Sequence, residues 1–187
     1  MTAMIEKSTF DLALDFVLKW EGGYVNNPAD RGGETNLGVT ANALKVAQSK
    51  GIVDKSLTVR DLTRETVAPI YQDLYWTPAH CPMMSYDLAV TVFDSAVNHG
   101  VKTAIRLMQR GLNALGSHLS EDGIWGRNTE NELTLALAYY PTGAALATIK
   151  KRDEYYDSIV RSNPSQKVFL TGWKNRLSSL RSEVIFS

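Results

Sequence analysis

The sequence predicts a mainly α-helical fold, interrupted once by an irregular or short β-hairpin excursion. Three observations carry this. Apolar residues recur at helical spacing along most of the 187 residues. Residues 22–38 instead crowd together Gly22, Gly23, Asn26, Asn27, Pro28, Asp30, Gly32, Gly33, Asn36 and Gly38, too many turn formers for a helix. No internal repeat or low-complexity linker breaks the pattern elsewhere.

The elements follow in order. Phe10, Ala13, Phe16, Val17 and Trp20 form one apolar stripe, widened by Leu14 and Leu18, so a helix is expected over residues 9–21. Ser8 with Asp11 resembles a capping box at its start, and Gly22-Gly23 stops it after Glu21. A helix over 40–50 has Thr40 as N-cap and Gly51 as its stop. Another covers 64–75, with Pro69 as a kink or start. Helices over 86–98 and 102–115 are separated by Gly100. After a turn at Asp122-Gly123, Thr129 is expected to cap a helix that runs to Tyr139 and is broken at Pro141. Residues 142–160 and 166–181 complete the helical chain. The segment 117–126 is the best internal boundary, which divides the chain into parts 1–115 and 116–187 packed as one unit.

Composition narrows the function classes. At 44% hydrophobic residues the chain holds enough apolar surface for a core, and a protein of this size buries roughly 70% of its unfolded surface. Twenty Lys and Arg balance twenty Asp and Glu, so no overall basic excess points to nucleic acid. Cys81 is the single cysteine, which excludes an intramolecular disulfide and reads as a small buried hydrophobe. The first twenty residues are broken by Glu6, Lys7, Asp11, Asp15 and Lys19 and do not form a secretory signal. The expected location is therefore the host cytoplasm until another factor releases the protein to the cell wall.

The residues that carry chemistry cluster at the excursion. Glu21 is placed at a helix C-terminus, where unpaired carbonyls disfavour an anion and so favour the protonated form that a general acid needs. Asp30 follows with eight residues between, and Thr35 after four more. Paired carboxylates on opposite walls of a cleft suit glycosidic cleavage: one protonates the leaving oxygen, and the other orients water or stabilises the cationic transition state. The Thr35 hydroxyl is able to hold the attacking water. Taken singly, each has a plainer reading, as a solvated helix-end carboxylate, a turn former and a strand residue.

The blocks Glu21-Gly22-Gly23-Tyr24, Pro28-Ala29-Asp30, Gly32-Gly33-Glu34-Thr35-Asn36 and Gly38 resemble the opening signature of glycoside hydrolase family 108, which contains N-acetylmuramidases of phages and bacteria. The resemblance continues through Tyr75-Trp76, residues 93–100 and Gln109. It then reaches 122–129, which is similar to that family's peptidoglycan-binding segment. It implies a lysozyme-like helical domain with Glu21 as the catalytic acid. Glu21, Asp30 and Thr35 also resemble the Glu–Asp–Thr triad of phage-T4-type lysozymes, which has five residues between Asp and Thr rather than four.

Tyr24, Tyr75, Trp76 and Trp125 offer apolar faces to pyranose rings, although most aromatics in a helical protein are core. Asn98 and His99, before Gly100, carry side chains able to bond N-acetyl or hydroxyl groups. Three histidines without paired spacing make no zinc site, and no cofactor is expected. From Lys150 to the end, eight Lys and Arg stand against four Asp and Glu, a basic region suited to a solvated face or to anionic outer-membrane or wall polymers.

The expectation is thus an enzyme that hydrolyses the β-1,4 bond between N-acetylmuramic acid and N-acetylglucosamine, set in a phage endolysin. A non-catalytic peptidoglycan-binding module and a muramidase aiding protein secretion are the competing readings.

Overall fold

The computed structural model describes residues 7–26 and 33–186. Packing divides the chain into two units, Met1–Thr77 and Pro78–Ser187. The division lies well before the expected boundary near 115, because the two helices that precede 115 pack on the helices that follow it.

In the first unit, α1 spans Thr9–Leu18 and buries Ala13, Leu14, Phe16 and Val17. Ser8 caps it as expected, accepting from the Asp11 N–H at 3.1 Å. The helix ends earlier than expected. The Trp20 N–H bonds the Val17 carbonyl at 2.9 Å, which tightens the last turn and leaves Glu21 three residues beyond Leu18. Strands β1 (Thr35–Asn36) and β2 (Val39–Thr40) pair antiparallel, Thr35 opposite Thr40. Their two-residue turn, Leu37-Gly38, has positive φ at both positions (47° and 72°), the hand that matches strand twist. A further bridge joins Val25 to Thr35, so the described residues of the excursion include short β structure.

Helix α2, Ala41–Ser49, starts on the Thr40 hydroxyl, which accepts from the Ala43 N–H at 3.2 Å. Helix α3, Arg64–Tyr71, starts on a capping box of Thr63 and Thr66 and continues through Pro69. It does not run on as a plain α-helix to 75. Residues Gln72–Trp76 form a widened π-helical turn, closed by the Thr77 N–H on the Gln72 carbonyl. Arg64 ties α3 to α1, with Nε on Asp15 at 2.6 Å and Nη2 on Asp11 at 3.0 Å.

The second unit is helical throughout: α4 (Tyr86–His99), α5 (Val101–Ala114), α6 (Arg127–Tyr139), α7 (Pro141–Ser162) and α8 (Lys167–Phe186). Pro141 begins α7 as its first helical residue, where a missing N–H costs nothing. Helix α5 packs closely on α7: a Cβ on Gly111 would lie 2.8 Å from the Thr148 nitrogen. Thr129 does not cap α6. Gly126 holds that position, and the Thr129 side chain is buried in the first turn, where it accepts from Gln109 at 3.3 Å.

A charge cluster crosses this core. The Asp94 carboxylate accepts from Arg152 Nη1 at 2.6 Å and from Arg176 Nη2 at 2.7 Å; Asp94 and Arg152 are fully buried. Burial alone raises a carboxyl pKa, but the two guanidinium groups outweigh it and hold Asp94 below its usual value. Cys81 is buried, and desolvation pushes its thiol pKa up. Among the described residues no helix is long and apolar enough to cross a membrane.

Candidate active site

The first unit gathers its chemistry around Glu21. The hairpin is tied to the residue after it, because the Leu37 N–H donates to the Gly22 carbonyl at 3.1 Å. The Tyr71 hydroxyl donates to the Leu37 carbonyl at 2.9 Å. Gly38 leaves room for both side chains. A Cβ there would stand 2.9 Å from Glu21 Oε2 and would overlap the Tyr71 hydroxyl oxygen. The Glu21 carboxylate therefore lies against the Leu37-Gly38 turn, beside Tyr71.

Tyr75, one helical turn after Tyr71, has its ring centroid 5.7 Å from the Tyr71 ring. Burial first, and then the negative charge of Glu21, raise the Tyr75 phenol pKa. Glu21, Tyr71 and Tyr75 thus share one corner, positioned by the end of α1, the hairpin turn, and the junction of α3 with its widened turn.

The other expected residues fall as follows. Tyr24 is half-buried with the Arg60 guanidinium 4.8 Å over its ring, and its hydroxyl accepts from Arg60 at 3.3 Å. Thr35 exchanges both backbone hydrogen bonds with Val25, and its hydroxyl donates to the Gly33 carbonyl at 3.4 Å. Asp30 lies outside the described residues. Trp76 is 4% exposed and meets Phe10 edge-on at 5.3 Å, so its ring belongs to the core and presents no face for a sugar. Sequence reasoning missed Tyr71 and the steric role of Gly38. The spacing of Tyr71 and Tyr75 (i, i+4) was the available signal.

In the second unit Trp125 is half-buried and stacks on His80, with centroids 4.3 Å apart and planes 9° apart. Burial lowers the His80 pKa. Asn98 is exposed and bonds back along its helix to the Asp94 carbonyl at 2.7 Å. His99 Nε2 lies 3.2 Å from the Tyr156 hydroxyl. The same hydroxyl accepts from Arg152 Nε at 2.8 Å. Desolvation, followed by the Arg152 charge, lowers the His99 pKa to about 4. Near neutrality the ring is therefore uncharged.

Gln109 organises the segment 122–129. Its amide nitrogen donates to Asp122 Oδ1 at 3.0 Å and to the Ile124 carbonyl at 3.1 Å, and its oxygen accepts from the Gly123 N–H at 2.8 Å. Gly123 has φ +71°, and a Cβ there would overlap the Lys102 carbonyl oxygen. Among the described residues no cluster of three or more His, Cys, Asp or Glu is arranged to hold a metal ion.

Residues 14–100 match the model of the glycosyl hydrolase 108 family, and residues 103–178 match that of a predicted peptidoglycan domain. None of the curated proteins matches the chain. Among solved structures, that of Brucella abortus SagA is similar at 24% identity over 95% of this chain and 94% of its own, with a TM-score of 0.72. At that identity the likeness establishes the mainly α, lysozyme-like fold with its short hairpin. The chain joins a glycoside hydrolase 108 domain to a predicted peptidoglycan domain, and it is a glycoside hydrolase that acts on peptidoglycan.

Proposed function

We propose that the protein is an N-acetylmuramidase that hydrolyses the β-1,4 bond between N-acetylmuramic acid and N-acetylglucosamine. The observation that carries this reading is the placement of Glu21. Its carboxylate is held against the hairpin turn, with Tyr71 and Tyr75 beside it. In this reading Glu21 donates a proton to the departing glycosidic oxygen. Asp30, nine positions later, acts with Thr35 to position water or to stabilise the oxocarbenium-like charge. Tyr71 is a positioning residue: by bonding Leu37 it holds the turn against which the carboxylate rests. Tyr75 and Tyr24 supply apolar contact to the sugar rings, and Trp125, Asn98 and His99 contact glycan at the second unit.

The physiological setting proposed is host lysis by a phage or prophage endolysin that reaches the wall once the membrane is opened. Pairing a hydrolase domain with a wall-binding domain supports this role. Glu21→Gln tests the chemical assignment. It is expected to abolish release of muropeptides while leaving sedimentation with purified sacculi intact. Release by the variant at the wild-type rate would remove Glu21 from the mechanism.

A further inference from the structure

The peptidoglycan domain contains a cleft that the sequence did not announce. It has a volume of about 570 Å³ and lies between α7 and α8 at the end of α5. Its floor is apolar, formed by Leu115, Leu146, Ala147 and Leu177. Three cations line it. The Lys174 ammonium is already engaged by Asp153 and Asp157, both at 3.1 Å. Lys150 and Arg181 are exposed and, among the described residues, have no hydrogen-bond or ion-pair partner. The arrangement follows from helical spacing. Leu146, Ala147 and Lys150 share one face of α7, while Leu177 and Arg181 share one face of α8. The cleft therefore combines an apolar floor with two uncommitted positive charges. Its volume is in the range of small-ligand sites.

We propose that this cleft binds the stem peptide of peptidoglycan, with alanine methyl groups on the floor and peptide carboxylates on Lys150 and Arg181. The inference rests on the reading of the second domain as a peptidoglycan binder, and it names the part of the polymer held there. The stem peptide is the component of peptidoglycan that offers methyl groups and several carboxylates together. A bare glycan chain also carries methyl groups, on its N-acetyl and lactyl substituents, but offers at most one carboxylate per disaccharide, so the carboxylates are what distinguish the stem peptide. The basic C-terminal region then has a specific use: two of its charges remain free at an apolar cleft, whereas Arg152, Arg176 and Lys174 are spent on internal pairs.

The test is calorimetric titration of the full chain with an N-acetylated stem tetrapeptide, Ac-L-Ala-γ-D-Glu-diaminopimelate-D-Ala. The expected result is saturable binding, weakened at least tenfold in Lys150→Ala/Arg181→Ala and blocked in Ala147→Trp, which fills the floor. Cleavage of peptide-free glycan strands is expected to be unchanged in the double variant. No binding of the tetrapeptide by the wild type would overturn the proposal, as would equal binding by the double variant. Variant-sensitive binding of phosphatidylglycerol vesicles without peptide binding would instead mark the cleft as a lipid site, and loss of self-association as a contact between copies. Failure of the muramidase reading would be distinguishable, because it appears as absent muramic acid reducing ends whatever the tetrapeptide does.

Discussion

Glu21 Oε2 lies 2.9 Å from the point where a Cβ of residue 38 would stand, so Gly38 is the space in which the Glu21 carboxylate meets the hairpin turn. The same glycine has φ +72°, which L side chains rarely adopt. Gly38→Ala therefore strains the backbone and displaces both Glu21 and Tyr71. The substitution is expected to cost on the order of 1–3 kcal/mol and to reduce hydrolysis of purified peptidoglycan at least tenfold. Thermal unfolding and turnover, measured side by side, check it; full activity would mean that the carboxylate does not need this seat.

Tyr71→Phe removes the 2.9 Å hydrogen bond to the Leu37 carbonyl and keeps the ring beside Tyr75. A stability loss of about 1 kcal/mol is expected from one hydrogen bond. A positioning role predicts a lower kcat with KM almost unchanged. A change in KM alone would indicate that the hydroxyl binds substrate rather than holding the turn.

Asp94 compensates two guanidinium groups inside the second unit. Asp94→Asn leaves both without a counter-charge, an expected loss of about 3–5 kcal/mol in denaturant unfolding. A loss under 1 kcal/mol would show that water already solvates the cluster.

His99 makes stability depend on pH in a defined window. Its pKa falls from 6.5 when unfolded to about 4 in the fold. Between these values the unfolded chain binds the extra proton, so stability falls as pH drops from about 6.5 towards 4, by on the order of 2 kcal/mol. Asp94, with a lowered pKa, keeps its contribution above the ordinary carboxylate range and loses it only at still lower pH. His99→Gln is expected to flatten the slope between pH 6.5 and 4. An unchanged slope would assign the acid sensitivity elsewhere.

Much of this was legible in the sequence because it rests on local signals. Ser8, Thr40 and Gly51 mark helix ends that the structure shares. The turn formers of 22–38 announced an irregular or short β-hairpin excursion, and Leu37-Gly38 provides the turn of its hairpin. What escaped notice depends on contacts between distant segments. The helix start at Thr129 failed because Gln109, twenty residues earlier, takes its hydroxyl. Trp76 reads from the sequence as either a sugar platform or a core ring, and the contact with Phe10 decides for the core. The widened turn after Tyr71 has no marker in propensity, and the parting of the units at Thr77 arises from helix packing rather than from a linker.

The central claim is that Glu21 drives hydrolysis at the muramic acid side of the glycan. Mass spectrometry of peptidoglycan digested by the wild type and by Glu21→Gln tests it most directly. The account predicts muropeptides with reducing-end N-acetylmuramic acid from the wild type and none from the variant. Reducing-end N-acetylglucosamine, anhydro-muramic acid, or the same products from both proteins would contradict it.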